Sequence, residues 1–296
     1  MRDSIRKFLR VVFIEGVDPR IIYLFVLAAL TIPLVAEVKL PPAPMTAAED
    51  VFKLIDGLKP EPGKIVVIAA DWGPGTSAEN GPQTRLVIEH LMRKRIPFAL
   101  MTLYQLAPPF LKEVPLEVAA SLTKEMPGQT WEYGKDWVNL GFQVNGQLSL
   151  QSLARAADMQ LVQKDDAFGA PLADIPVMKD VHTIKDVQAL VQVTGLVGVF
   201  NIWLQFFRSE SYAPPMVHGC TSITIPDAYM YYSSKQIRGF FEGVAGAAWY
   251  DKLLDRQYPD RKDVAVGVNT GLAVAQLVIL AFILVGNIGY LCAKRL

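Results

Sequence analysis

A glycine-containing loop directly after an apolar run is the first segment of this sequence that suggests ligand chemistry. The segment 73–78 matches the pattern G-x-G-x-x-A and lies between a predicted strand and a predicted helix. In dinucleotide-binding folds such glycines let backbone N–H groups approach a pyrophosphate at a helix N-terminus. Pro74 removes one of these N–H groups, and the next predicted strand ends at 102–104 without an acidic residue for a ribose. We therefore do not predict nucleotide binding, and we expect no cofactor.

The same loop could still line a polar crevice. Open α/β sheets bind ligands outside the carboxyl ends of their strands. The competing interpretation is structural, with Asp71 and Asn80 capping turns and Gly73 and Gly75 supplying positive φ. If a crevice forms, its candidate residues are Asp71, Trp72, Gly73, Gly75, Ser77, Glu79 and Asn80.

His218 and Cys220 suggest a Cys/His hydrolase, but their spacing argues against one. On one strand the two side chains point the same way about 7 Å apart, whereas a nucleophile needs its base within about 3 Å. A caspase-like site would place them on separate strands. We predict a buried structural cysteine and a hydrogen-bonded histidine. His90, His182 and His218 show no metal-ligand spacing, so we predict neither a metal site nor a catalytic residue.

An aromatic and glycine-rich cluster is the main candidate for protein contact. Ser233 and Gln236 resemble a capping box, which predicts one helix from there to about Leu254. Glycines on its adjacent turns would let another backbone approach closely. This face would pack on the domain's own sheet or dock a partner, since Tyr and Arg are enriched in interface hot spots. The predicted interface contains Tyr229, Tyr231, Tyr232, Arg238, Gly239 and Gly243.

The segments that would position these residues are apolar runs typical of a parallel sheet. Segments 64–70 and 97–103 predict buried strands, joined by a helix with its N-cap at Asn80, which makes a βαβ unit. Further strands are predicted at 137–142, 189–194 and 216–225, and helices at 149–157 and 197–207. The regions around 104–135 and 158–186 are rich in Pro, Asp and Gln and are interpreted as excursions from this pattern. The predicted fold is a Rossmann/flavodoxin-like, mostly parallel sheet with helices on both faces.

Apolar segments near both ends predict flanking transmembrane helices. Residues 264–293 are free of charge, and a bilayer core takes about twenty apolar residues of helix. Residues 21–40 form the first predicted span, with a cleaved signal peptide as the alternative. Gln276 and Asn287 are polar residues in the second span, and we add them to the predicted interface because such groups usually face another helix.

Residues 1–20 predict a basic amphipathic helix on the membrane surface, or else a topogenic charge cluster. Segment 187–207 is also uncharged, and a membrane-lying helix is the alternative there to strand–turn–helix. Its glutamines and Asn201 argue against burial in lipid.

The distribution of basic residues predicts the topology. Five basic residues in the leader, against Lys39 and Lys53 after the first span, place the N-terminus and the tail 294–296 in the cytoplasm. The domain 41–263 would then lie outside, in a two-pass protein of a bacterial-type inner (plasma) membrane. The net charge is zero and no basic run is interleaved with aromatic residues, which excludes nucleic acid as a partner.

Because no catalytic constellation emerges, the sequence predicts a non-catalytic, membrane-anchored subunit or scaffold of a larger membrane protein assembly. Its expected partners are the lipid bilayer and other membrane protein subunits, or further copies of itself. The alternative function is a small-molecule-binding module or hydrolase at the crevice around Asp71, Ser77 and Glu79.

Overall fold

The computed structural model describes residues 18–36, 41–261 and 266–293. The chain divides into two compact units, one formed by Ala43–Asp263 and the other by Met1–Pro42 with Val264–Leu296. The predicted surface helix at 1–20 lies almost wholly outside the described residues, as does the tail 294–296.

The larger unit contains a six-stranded, all-parallel sheet in the order β3-β2-β1-β4-β5-β6. The central strands are buried over almost their whole length, which explains why they appear in the sequence as continuous apolar runs. The predicted α/β class is therefore confirmed, and the strand order is consistent with a Rossmann-like fold. The strands are β1 (Ile65–Asp71), β2 (Phe98–Thr102), β3 (Trp137–Phe142), β4 (Val187–Thr194), β5 (Met216–Cys220) and β6 (Gly239–Glu242).

Helices cover both faces of this sheet. Trp203 and Ala228 pack into one core with Val67 and Ala69 of β1, so the helices that carry them lie on the same face. A second group of helices packs together on the other face. The helices of the larger unit are α2 (Thr46–Gly57), α3 (Ser77–Arg93), α4 (Pro108–Glu125), α5 (Gln147–Arg155), α6 (Val199–Phe206), α7 (Ile225–Ser233) and α8 (Gly243–Gln257).

Most predicted strands and helices are found, and segment 187–207 is strand–turn–helix as predicted. The N-cap prediction at Asn80 is wrong, because α3 begins at Ser77 and buries Asn80 in its first turns. The region around 104–135, interpreted as an excursion, contains α4. Pro108 and Pro109 are compatible with the start of that helix because the first helical N–H groups have no intrahelical acceptor.

The predicted helix from Ser233 to about Leu254 is also wrong. Ser233 ends α7, β6 follows, and α8 begins only at Gly243. The strand predicted at 216–225 likewise ends at Cys220. Gly239 has a different role from the predicted one: a Cβ there would lie 2.6 Å from the backbone nitrogen of Val51. The glycine thus lets β6 lie directly against α2.

The smaller unit contains α1 (Pro19–Val35) and α9 (Val266–Ala293), which pack together with an edge-to-face contact between Phe25 and Phe282. In the part of the chain that the structure describes, no helix combines the length and the apolar character needed to cross a membrane. The predicted spans at 21–40 and 264–293 are therefore unsupported, and the two-pass localisation is wrong. α1 has only 17 residues, fewer than the roughly twenty that a bilayer core takes. Gln276 and Asn287 interrupt the apolar surface of α9 with exposed polar side chains.

Candidate functional site

The direction of chain progression reverses between β1 and β4, and open α/β sheets bind ligands at such a point. Here the position is filled by the protein's own loops. A Cβ added to Gly195, directly after β4, would lie 2.5 Å from Cγ2 of Thr76 and 2.9 Å from Cγ2 of Thr221. The loops after β1, β4 and β5 therefore touch where a dinucleotide would otherwise enter.

Asp71 lies beneath this contact and is fully buried. Its Oδ1 accepts hydrogen bonds from Thr102 Oγ1 at 2.9 Å and from the N–H of Leu103 at 2.5 Å. Its Oδ2 accepts from Gln192 Nε2 at 3.2 Å and from Trp203 Nε1 at 2.6 Å. Burial raises the pKa of this carboxyl to about 6, against the opposing effect of the four donors. Asp71 thus ties β1 to β2, β4 and α6.

The other predicted crevice residues also take part in local packing. Trp72 is buried and donates from Nε1 to Thr84 Oγ1, while Asn80 is buried and donates to Gln83. Ser77 donates its hydroxyl proton to the carbonyl of Pro74 within its own loop.

Of the remaining three crevice residues, Glu79 and Gly73 lie close to other loops, and Gly75 makes no such contact. Glu79 accepts from the N–H and the hydroxyl of Ser222. Gly73 has an extended φ of −147°, and a Cβ there would lie 2.9 Å from the Tyr104 ring. Gly75 has open space around its Cα, and neither glycine has positive φ. None of the seven predicted residues lines the two cavities described next.

A cavity of about 270 Å³, the upper cavity, opens between α6 and α7 over the carboxyl ends of β4 and β5. The loop 194–198 after β4 and the first turn of α6 form one wall, and α7 forms the other. The side chains that determine its chemistry are Phe200, Asn201, His218, Thr224, Asp227 and Tyr231.

His218 is the polar side chain of β5 that faces this cavity, and it is only 4% exposed. Its Nδ1 lies 3.2 Å from the carbonyl oxygen of Gln192, so Nδ1 carries the proton. Burial lowers the pKa of His218 to about 4, which keeps the ring neutral at pH 7. The ring packs against Phe200 at 4.4 Å between centroids. Nε2, with no hydrogen-bond partner among the described residues, offers a lone pair to a ligand donor.

The N-terminus of α6 opens onto the same cavity. Gly198 is its N-cap, in the left-handed conformation with φ +87°, and no side chain caps the helix. The first intrahelical bond runs from the N–H of Ile202 to the carbonyl of Gly198 at 3.3 Å. The N–H groups of Val199, Phe200 and Asn201 precede it and have no intrahelical acceptor. Together with the helix dipole, they favour a negatively charged or strongly accepting ligand group.

The opposite wall is acidic. Asp227 is exposed in the first turn of α7 and lines the cavity. Thr224, the N-cap residue, donates from Oγ1 to the carbonyl of Thr221 at 3.1 Å. The upper cavity therefore offers N–H donors on one wall, a carboxylate on the other and a neutral acceptor on its floor.

A second cavity of about 220 Å³, the lower cavity, lies between α6 and α7 over earlier residues of β4 and β5. Its lining is mainly apolar, with Gln205, Arg208 and Gln236 as exposed polar residues. Tyr231 lines both cavities and donates its hydroxyl proton to Asn201 Oδ1 at 2.7 Å.

The residues predicted as a partner interface do not form one surface. Tyr229 is 44% exposed and Arg238 is exposed, but Tyr232 donates to Asp50 within the domain. Gly239 is buried in β6, and Gly243 begins α8 with φ +58°, where a Cβ would clash with Ser222. Tyr231 belongs to the wall of the two cavities, and Gln276 and Asn287 belong to the other unit.

Cys220 is buried, and its thiol donates to the carbonyl of Phe241 at 3.1 Å. Burial raises the pKa of this thiol to about 12, so it is not a nucleophile at neutral pH. Sequence reasoning singled out His218 but did not assign it to a ligand site. One feature of the sequence indicates the site: Gly195 follows a predicted strand and precedes a predicted helix, the position at which open sheets bind ligands.

Comparison with known proteins gives no match to a family model, to a curated protein or to a solved structure. The interpretation of the site therefore rests on its geometry.

Proposed function

We propose that this protein is a small-molecule-binding module whose site is the upper cavity. Its ligand carries a carboxylate together with a hydrogen-bond donor, as an α-amino acid or an α-hydroxy acid does. The observation that carries this proposal is the unpartnered Nε2 of the buried His218, beside the uncapped N-terminus of α6. Nε2 is open to the cavity and has no partner among the described residues, so it is available to accept a hydrogen bond from a ligand.

Each wall matches one part of such a ligand. The free N–H groups at the start of α6 suit the carboxylate, and Asp227 on α7 suits an ammonium or hydroxyl group. His218 Nε2 accepts a further hydrogen bond from the same donor group. Hydrogen bonds to charged groups contribute about 1.5–3 kcal/mol each, so this set supports micromolar to millimolar affinity.

Binding is favoured over hydrolysis at the loop after β1. The Ser77 hydroxyl donates to Pro74 in its own loop, and Asp71 is fully buried with four donors around it. Neither group presents a reactive atom to an open cavity.

The test is a thermal-shift and calorimetry panel of proteinogenic amino acids and their α-hydroxy analogues, applied to the full chain. We expect stabilisation by at least one of them at millimolar concentration, and none by the corresponding simple amine or carboxylate. Asp227→Asn should weaken binding about tenfold, which corresponds to one charged hydrogen bond. Glu113→Gln is the matched control, because Glu113 is an exposed carboxylate on α4. If no compound of the panel binds, the proposal is overturned.

A second candidate, a non-catalytic subunit or scaffold of a protein assembly, is supported by the smaller unit. Its helices α1 and α9 leave large apolar side chains exposed, among them Leu24 at 65%, Ile32 at 63% and Leu277 at 63%. Monomeric proteins rarely expose a continuous apolar patch of this kind. The partners would be further copies of the chain or other protein subunits. Native mass spectrometry should then show a stable complex, and a lone monomer at all concentrations contradicts this candidate.

A further inference from the structure

We infer that the upper and lower cavities are two halves of one groove divided by Tyr231, and that the ligand is an α-amino or α-hydroxy acid with an elongated apolar side chain that displaces this tyrosine. The inference rests on the proposed function, because the upper cavity must first bind the polar head of the ligand. It specifies the chemistry of the ligand's side chain and identifies Tyr231 as a residue that moves on binding.

The two cavities share a floor. In the β4–β5 pairing, Leu190 lies beside Met216, and two residues further along Gln192 lies beside His218. Leu190 and Met216 line the lower cavity, while His218 lines the upper one. Because alternate residues of a strand share a face, the two floors are about 7 Å apart along the same strands.

The cavities also share their walls. On α6, Phe200 and Asn201 line the upper cavity, and Trp203 and Leu204 line the lower one together with Phe207, the C-cap residue. These residues follow one another along one side of a single helix. On the α7 side, Tyr231 belongs to both cavities. A groove between two helices therefore runs along β4 and β5, with one side chain across it.

Tyr231 is held in this position by few interactions. Its hydroxyl makes one hydrogen bond, to Asn201 Oδ1 at 2.7 Å, and its ring lies edge-on to Phe200 at 4.8 Å between centroids. The residue is only half-buried. One neutral hydrogen bond contributes little net stability, so the side chain can turn outward when a ligand replaces its apolar contacts.

The lower cavity is suited to an apolar chain. Leu190, Trp203, Phe207 and Met216 contribute its buried surface. The polar lining residues, which are exposed, are Gln205, Arg208 and Gln236. A ligand head bound at His218 would direct its side chain past Tyr231 into this space. Each additional buried methylene should then raise affinity about fourfold.

The experiment measures binding of alanine, norvaline, norleucine, α-aminooctanoate and α-aminodecanoate by calorimetry. The wild-type chain should bind the longer ligands more tightly, by about fourfold per methylene. Tyr231→Phe, which has no bond to Asn201 to lose, should bind the long ligands about fivefold tighter. Tyr231→Ala should give at least the same gain for the long ligands. Tyr229→Ala is the matched control, a neighbouring α7 tyrosine that lines neither cavity.

The outcomes separate the two claims. If short amino acids bind but chain length and the Tyr231 variants have no effect, the groove inference is overturned and the proposed function stands. If no amino or hydroxy acid binds any variant, the proposed function falls, and the groove inference falls with it. Tyr231→Phe keeps the comparison decisive if Tyr231→Ala does not fold.

Discussion

Asp71 and His218 are both buried polar residues near the carboxyl ends of central strands, yet their surroundings differ. Each carboxylate oxygen of Asp71 accepts two hydrogen bonds from its neighbours. His218 uses Nδ1 in one hydrogen bond, and its Nε2 is left for the cavity. A buried group whose hydrogen-bonding capacity is used up stabilises the fold, whereas a group with a free atom that faces a cavity can bind a ligand. Asp71, which lies next to the glycine-containing loop 73–78, is therefore the structural residue of the two.

The largest effect that tests this difference is expected from Asp71→Ala. Four donors would lose their common acceptor, and each unsatisfied buried group costs about 1–3 kcal/mol. We expect urea unfolding to show a loss of at least about 4 kcal/mol, or a chain that does not fold. Asp71→Asn should cost less, since one acceptor oxygen remains. A loss below about 1 kcal/mol for Asp71→Ala would show that the four bonds do not organise the centre of the sheet.

The pH dependence of stability tests the same carboxyl group. Its pKa is raised by burial from 3.8 to about 6, so between these values the folded protein holds a proton that the unfolded chain has released. The free energy of unfolding should therefore decrease as the pH rises from about 4 to about 6, by the order of 3 kcal/mol. Chemical unfolding of wild type and Asp71→Asn at each pH isolates this group. If the free energy of unfolding changed with pH in the same way in both proteins, the raised pKa of Asp71 would be contradicted.

Gly195→Ala tests whether the loops above Asp71 are closed by direct packing. A Cβ would lie 2.5 Å from Thr76 Cγ2, and overpacking of this kind costs about 1–3 kcal/mol. Thr76→Ser removes that methyl group and should restore part of the loss in the double variant. Gly75→Ala is the control, because nothing lies within 4 Å of its added Cβ. Equal stability losses in both alanine variants would exclude the close contact as the cause.

The smallest stability effect is expected from His218→Phe, which keeps a ring beside Phe200 and removes one hydrogen bond. The loss should be about 1 kcal/mol, while stabilisation by α-amino acids should disappear. His90→Phe is a matched control: His90 is also buried with a pKa lowered to about 4, and its Nδ1 lies 2.7 Å from the Tyr250 hydroxyl. It should lose similar stability and keep ligand binding. If both variants bind equally, His218 does not contact the ligand.

The sequence predicts the centre of the fold better than its edge and its ends. β1, β2 and β4 are continuous apolar runs because both faces are covered, and such runs are recognisable without context. β6 was missed because it has only four residues, and Gly239 and Gly243 imitate a helical spacing. The apolar composition of the two end segments predicted membrane spans, which the described helices do not support.

The candidate site could be predicted only in part. The orientation of His218 follows from strand alternation, but the free state of Nε2 depends on what α6 and α7 place opposite it. Those helices come from segments 199–206 and 225–233, and no local pattern links them across the groove. The place of Tyr231 in the cavity wall could not be predicted for the same reason, since its hydrogen-bond partner Asn201 lies 30 residues away in the chain.

Trp203 joins the two regions compared above. Its indole N–H is bound to Asp71 at 2.6 Å, while α6, the helix that carries it, contributes one wall of the groove. Any ligand that shifts this helix must lengthen an indole–carboxylate bond in the sheet interior. The indole N–H resonance in proton NMR spectra would then move on ligand addition, giving the protein a built-in reporter at a distance from the binding surface.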